Sequence, residues 1–333
     1  MIVKPSILAR KLLGLDANAF PQLAVQRFGA QPDLDKTWAR FEPVACTLVD
    51  SFYMTLDVRD LDELADQLDT VTPELRGIAY EGAGMGLMMR DTLAPRAWRL
   101  DAFLNDRGSG YRGLIYIGAG LVLPRLPVHP LRFVNRQDPL LRWLVMDGYG
   151  FFDAFFNWTA AIAARQVPAV VTGYARNGYD QGVGRSLWFC TGANVVRIID
   201  TIATFPLHRR ADLWSGIGLA CAYAAGVMER SAIEELLAAA GAHRVHMATG
   251  AAIAAVFRRQ SKMPAPHTDL AVDVTWSRTA DQVADLALDV LQDAVYTGNP
   301  YAQWRSCIAS AWQAEHELDE AVRGAAHAVR RAE

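Results

Sequence analysis

Basic residues are in no excess in this 333-residue chain. Lys and Arg number 33 against 36 Asp and Glu, for a formal net charge of −3. A nucleic-acid-binding surface shows a basic stripe, and none is present, so nucleic acid is not an expected partner. Cysteine is scarce. Cys46, Cys190, Cys221 and Cys307 are far apart and sit among apolar, helix-like residues. They read as reduced core residues of a cytoplasmic protein, not as a disulfide framework. Long apolar runs are missing as well. The greasiest stretches, Gly113–Val128 and Thr159–Gly173, are broken by Arg, Gln, Pro or Gly. Both fall short of the roughly 18 to 20 residues of a membrane span. Met1–Ala9 lacks the apolar core of a secretory signal. Strand signals are few, and "VPAVVTG" at 167–173 is the best of them. No Gly-x-Ser-x-Gly elbow occurs, and no His pattern near Ser186 supports it as a nucleophile.

Hydrophobic residues, by contrast, make up 52% of the chain. That supports a large core. Gly-x-Gly recurs at 82/84, 118/120, 148/150, 182/184 and 216/218, and "TGAA" at Gly250 is a degenerate sixth copy. The first glycines are spaced by 36, 30, 34, 34 and 34 residues. Chance supplies only roughly two such pairs at ordinary glycine content. A period near 34 with helical patterning predicts helix–turn–helix units. Trp214-x-x-Ile217-Gly218-x-x-Cys221 resembles the first helix of a tetratricopeptide unit. Ala232, Leu236 and Ala239 then stand at core spacing on a second helix. Ten glycines inside helices cost on the order of 10 kcal/mol against alanine. The cost is tolerable if the missing side chains let helices approach closely. A dinucleotide loop needs a preceding strand, and Leu75–Tyr80 before "EGAGMG" reads as helix.

The fold expected is therefore all-α and a single domain over 1–333. Residues 1–70 form N-terminal capping helices, 71–263 the Gly-x-Gly repeats and 264–333 the C-terminal capping helices. The repeats make either a tetratricopeptide-like solenoid or a compact bundle. At the ends, 5–15 reads as a short helix, "DANAF" and "QPDLDK" as loops, and residue 35 or 36 to Asp57 as a long helix. "PAPHTDLAVDVTW" reads as a loop. Ser277 caps a helix with Val283, Leu286, Ala287, Val290 and Leu291 on one face, and Pro300 opens a last helix pair.

Several positions can carry chemistry. The residue before each first glycine is Glu81, Ile117, Asp147, Gln181, Ser215 or Thr249. Four residues on, the same face holds Met85, Leu121, Phe151, Arg185, Leu219 and Ile253. Stacked, they form a ribbon of polar and apolar groups that suits either a groove for a long hydrocarbon ligand or plain amphipathic packing. Asp180 stands where other repeats have Tyr80, Tyr116, Met146 and Trp214. A carboxylate there needs a partner, and Arg185 and Arg176 are nearby in sequence. Asp147, Asp153, Asp180 and Arg185 form either a structural ion-pair network or an acid–base site. Tyr149, Phe151, Phe152, Phe155, Phe156 and Trp188 would line such a site, with Glu81, Gln181 and Trp214. The acids Asp57, Asp60, Asp62, Asp66 and Asp69 oppose an apolar stripe and read as a solvated helix face. A diphosphate-binding magnesium motif is the alternative. His243 and His246 are one turn apart, yet no Cys or acid pattern supports a metal there. "EHE" at 315–317 reads as surface helix.

"YEGAGMGLMMRDTLAP", "DPLLRWLVMDGYGFFDAFF", "YDQGVGRSLWF" and "ADLWSGIGLACAYAAG" together resemble a family encoded beside the iterative polyketide synthases of enediyne antibiotic clusters. The resemblance covers nearly the whole chain. It implies an accessory protein, enzyme or cyclisation chaperone, that binds a hydrophobic polyene intermediate and processes or cyclises it, with pathway proteins such as a polyketide synthase as partners. It names no cofactor and no chemical step. A non-catalytic scaffold for partner proteins and a terpene-cyclase-like enzyme are the alternatives. A closed aromatic cavity containing Asp180 favours the first reading, and an open polar concave face favours the scaffold.

Overall fold

A computed structural model describes residues 6–7, 16–17, 20–28, 34–94, 97–224, 229–292 and 298–332. Every regular element among them is helical, in an all-α fold. The helices are α1 (Phe20–Phe28), α2 (Leu34–Asp57), α3 (Leu61–Asp69), α4 (Pro73–Leu93), α5 (Arg99–Asn105), α6 (Arg112–Val122), α7 (Pro130–Val134) and α8 (Leu144–Phe156). They continue as α9 (Ala175–Cys190), α10 (Val195–Ala203), α11 (Leu207–Tyr223), α12 (Arg230–Ala240), α13 (Arg244–Ser261), α14 (Pro266–Trp276), α15 (Ala280–Gln292) and α16 (Pro300–Ala332).

Helices α2, α4, α6, α8, α9, α11 and α13 form one row in chain order, each packed on the next. The Gly-x-Gly pairs lie at the seams. The first glycine of each pair faces the preceding helix. Gly118, Gly148, Gly182, Gly216 and Gly250 lie against the carbonyl oxygens of Glu81, Ile117, Asp147, Gln181 and Ser215. Those five acceptors occupy one repeat position, just before a first glycine. The second glycine faces the following helix. Gly84, Gly120, Gly150, Gly184 and Gly218 lie against the carbonyls of Ile115, Val145, Tyr179, Leu213 and Met247. Any Cβ at these positions would fall well inside 3.0 Å of a backbone oxygen. Close approach is thus the reason for the repeat, and it brings main chain against main chain, where Cα–H···O contacts replace side-chain packing.

Short helices α3, α5, α7, α10 and α12 connect the members of the row. They are amphipathic: α10 buries Ile198 and Ile202 and exposes its other face. The row curls on itself. Arg258 near the end of α13 donates to Glu74 O at the start of α4 (2.9 Å), and Phe257 lies against Gly113 of α6. A C-terminal layer is fastened by indole N–H groups. Trp276 donates to Ala248 O (2.9 Å), Trp304 to Ala287 O (2.7 Å) and Trp312 to Thr275 O (2.8 Å).

Several expectations need correction. Residues 167–173 form no strand and run as irregular chain and turns, with Pro168 and Gly173 unsuited to a ladder. The expected loop after Met263 contains α14. Pro266 sits at its first turn, where a missing N–H costs nothing. Ser277 ends α14 in a left-handed conformation (φ 53°), and Thr279 opens α15 through a reciprocal pair with Gln282. Pro300 begins one helix, not a pair. The buried stripe of α12 is Ile233, Leu236 and Ala240, one step from the expected one. The expected helix at 5–15 falls mostly outside the described residues.

Candidate functional site

The curled row encloses a cavity of about 80 Å³. Ile78 and Glu81 of α4, Leu114 and Ile117 of α6, Phe151 and Phe155 of α8, Arg185 and Phe189 of α9, and Leu219 and Tyr223 of α11 form its wall. Trp38, Phe41, Val44, Ala45 and Leu48 of α2 cover it, with Pro21 and Arg27 of α1 at the edge. Ridge residues at successive turns of α2 thus replace an open concave face.

Glu81 and Arg185 are the charged pair in this apolar wall. Both are buried, and Arg185 Nη2 is 3.6 Å from Glu81 Oε1. Arg185 Nε donates to Asp147 Oδ1 at 2.6 Å. Gln181 Nε2 donates to Asp147 Oδ2 at 2.8 Å, and Tyr301 Oη donates to Gln181 Oε1 at 3.2 Å. A polar file therefore runs from the cavity through Arg185, Asp147 and Gln181 to Tyr301 of α16. The guanidinium also lies over the Phe151 ring, 5.1 Å from its centroid. Arg185 Nη2 has no hydrogen-bond partner among the described residues.

One cation serves two buried carboxyls here. Burial pushes both above the ordinary carboxylate range. Asp147 accepts two direct hydrogen bonds, one of them charge-assisted, which favour its charged form against that burial. Glu81, at 3.6 Å and without a hydrogen bond, is pushed up to about 7 by burial, with Arg185 opposing and Asp147 adding to the shift. Glu81 is therefore the group that can hold or release a proton near neutrality.

Of the thirteen residues grouped as a site in the sequence, Glu81, Phe151, Phe155 and Arg185 line the cavity, Asp147 stands one hydrogen bond behind it and Gln181 two. The other seven do not form the wall. Asp180 is gripped by Arg209, whose Nε is 3.0 Å from both carboxylate oxygens and whose Nη2 is 2.5 Å from Oδ1. The expected partners Arg185 and Arg176 do not hold it. Its repeat position explains this. Tyr80 Oη donates to Asp69 (3.0 Å) and Tyr116 Oη accepts from Asp138 N (3.1 Å), so that position fastens the row to its connecting segments. Asp180 reaches a connecting segment only through Arg209 of the next row helix, whose Nη1 donates to Arg165 O (2.6 Å). Asp153 accepts from Tyr179 Oη (2.6 Å) and Asn157 (2.7 Å), apart from the Arg185 cluster. Tyr149 packs near Tyr179, and Phe152 against Phe156. Trp188 and Trp214 are buried in the core.

Asp60 caps α3, and Asp62, Asp66 and Asp69 surround Arg107 on the outer surface. Asp57 instead holds Ser6. These acids do not reach the cavity. The His243 and His246 rings are 5.9 Å apart, and among the described residues no three His, Cys, Asp or Glu side chains converge as a metal site. No described helix is long and apolar enough to cross a membrane. Sequence reasoning missed Arg209 and Tyr223. It also missed the cover from α2, although Trp38, Phe41, Ala45 and Leu48 follow a helical 3–4 spacing that marks one face.

Compared with known families, residues 7–312 match the model described as a protein of unknown function, DUF1702. The chain belongs to this family. No curated protein and no solved structure matches it. The DUF1702 match spans the whole row, its connecting helices and the start of α16 as far as Trp312, so the cavity and the polar file both lie within the family's own segment.

Proposed function

We propose that this protein holds an apolar, unsaturated chain in its central cavity, as an accessory protein of enediyne-type polyketide assembly. The observation that carries the reading is the buried Glu81–Arg185 pair in an aromatic, largely enclosed wall. Burying such a pair costs several kcal/mol per ion unless it has a use or full compensation, and Arg185 Nη2 meets Glu81 only across 3.6 Å, with no hydrogen-bond partner among the described residues. The quoted stretches shared with the enediyne-cluster family favour a polyene as the chain. Asp180 serves the scaffold in this reading, and Glu81 and Arg185 take the role at the polar end. The cover by α2 disfavours a concave surface for partner proteins. Ligand sites usually run to about 300–1,000 Å³. A full-length chain therefore enters by displacing α1 and part of α2, the elements that cover the cavity.

Diphenylhexatriene, a hydrocarbon triene that fluoresces in apolar surroundings, tests this directly. Saturable enhancement with the wild type, lost in Ala45→Trp, supports the reading. Ala45 lines the cavity from the α2 side. An Ala45→Trp protein with unchanged thermal unfolding and unchanged dye binding overturns it.

A further inference from the structure

The polar end of the cavity specifies the ligand's head group. Arg185 carries a buried Nη2 that is ion-paired with Glu81 but has no hydrogen-bond partner among the described residues. Its Nε is already committed to Asp147. Glu81 faces it across 3.6 Å and has no other polar neighbour in hydrogen-bond range. Around them the wall is Ile78, Leu114, Ile117, Leu219 and Tyr223, whose buried Oη also has no hydrogen-bond partner among the described residues. An unsatisfied buried donor is costly, more so when charged, so a ligand that supplies an acceptor there is favoured.

Charge decides which acceptor. Arg185 is one cation between Asp147 and Glu81. A carboxylate head would bring a third acid to a single guanidinium. An ammonium head would meet that guanidinium in a low-dielectric site. A hydrocarbon end would leave Nη2 unpaired. A neutral oxygen acceptor meets none of these objections. Two donors can converge on it, the Nη2 N–H of Arg185 and the O–H of Glu81.

We propose that the cavity selects an apolar chain ending in a neutral carbonyl group, whose oxygen accepts hydrogen bonds from Arg185 Nη2 and the Glu81 carboxyl. This rests on the cavity being a ligand site, as argued above. It adds the chemical class of the ligand's end: an aldehyde, ketone or ester, in place of a free acid or a hydrocarbon.

Three fluorescent or absorbing tetraenes separate the possibilities: parinaric acid, its methyl ester, and the corresponding octadecatetraene hydrocarbon. At pH 6 the ester should bind at least about tenfold more tightly than the hydrocarbon, a difference of about 1.4 kcal/mol. It should also bind more tightly than the acid. Glu81→Met should reduce the ester preference, and Glu81→Gln, which keeps a donor, should restore part of it. Neither variant leaves a new buried charge unpaired, so both should fold, and unfolding midpoints check that they do. Equal binding of ester and hydrocarbon, tighter binding of the acid, or an ester preference untouched in a folded Glu81→Met overturns the head-group inference alone. Binding of none of the three probes overturns the cavity reading itself.

Discussion

Along the row, helices meet where side chains are missing. On the outside, α10 and α12 meet their neighbours where side chains are present. In a seam, a glycine Cα touches a carbonyl oxygen of the next helix, and both flanking helices are buried nearly all round. Twelve of the seventeen residues of α11, from Asp212 to Tyr223, are buried without interruption. In the outer layer, two or three apolar residues per helix face inward, and the rest are solvated. The seam is rigid because a main-chain oxygen cannot rotate away. The outer contact is adaptable because side chains have rotamers.

The contrast predicts opposite responses to changes in size. Gly218→Leu drives a side chain into Met247 O and should leave no folded protein. Gly218→Ala should already cost about 3 kcal/mol by overpacking, read from denaturant unfolding. A tolerated alanine would break the account of the seam. Next, Arg185→Met strands Asp147 as a lone buried charge and should cost about 3–5 kcal/mol. Adding Asp147→Leu to it should recover much of the loss in a double-mutant cycle. In the outer layer the sign reverses, since removing atoms is what hurts. Ile198→Ala should cost about 2–5 kcal/mol through the cavity it leaves.

The pH response is smaller. Glu81 binds its proton more tightly folded than unfolded, where its ordinary value is 4.5. Its contribution to stability is complete below about 4.5 and is lost as pH rises through about 7. The unfolding midpoint of the wild type should therefore be lower at pH 8 than at pH 5. Glu81→Gln should flatten that slope, and an unchanged slope overturns its assignment to Glu81. The smallest effect belongs to the solvated acids. Asp62→Asn beside Arg107 should change stability by less than about 0.5 kcal/mol.

The same contrast explains which parts were legible in the sequence. The seam writes itself as two glycines at fixed spacing, because every copy meets the same main-chain geometry. The inner helices show weak amphipathic periodicity, since nearly every face is buried, and glycine period is what reveals them. Arg185, Phe151 and Glu81 emerged because the repeat aligns them on the face that lines the cavity. Asp180 was conspicuous for the right reason, its departure from the repeat. Its partner lies 29 residues on, at the first turns of the next row helix, where no local pattern marks an arginine. The helix Pro266–Trp276 was hidden by two prolines that read as a loop and instead start a helix. The cover over the cavity depends on how the row curls, and no single repeat carries that information.

The sixth copy of the repeat, "TGAA", has one glycine instead of two. Gly250 faces back toward Ser215 O, and Ala252 stands where a forward-facing glycine would be. At the other end, α2 offers Leu48 O to Gly82 and has Val49 and Ser51 at the two glycine positions. The row thus has an interior of two-sided units and two blunt ends. A unit that could accept a like neighbour on both sides would support open-ended, head-to-tail growth between molecules. Side chains at Val49 and Ser51 on one end and at Ala252 on the other fill the places where a further helix would have to sit main chain to main chain: the row carries its own stop signals.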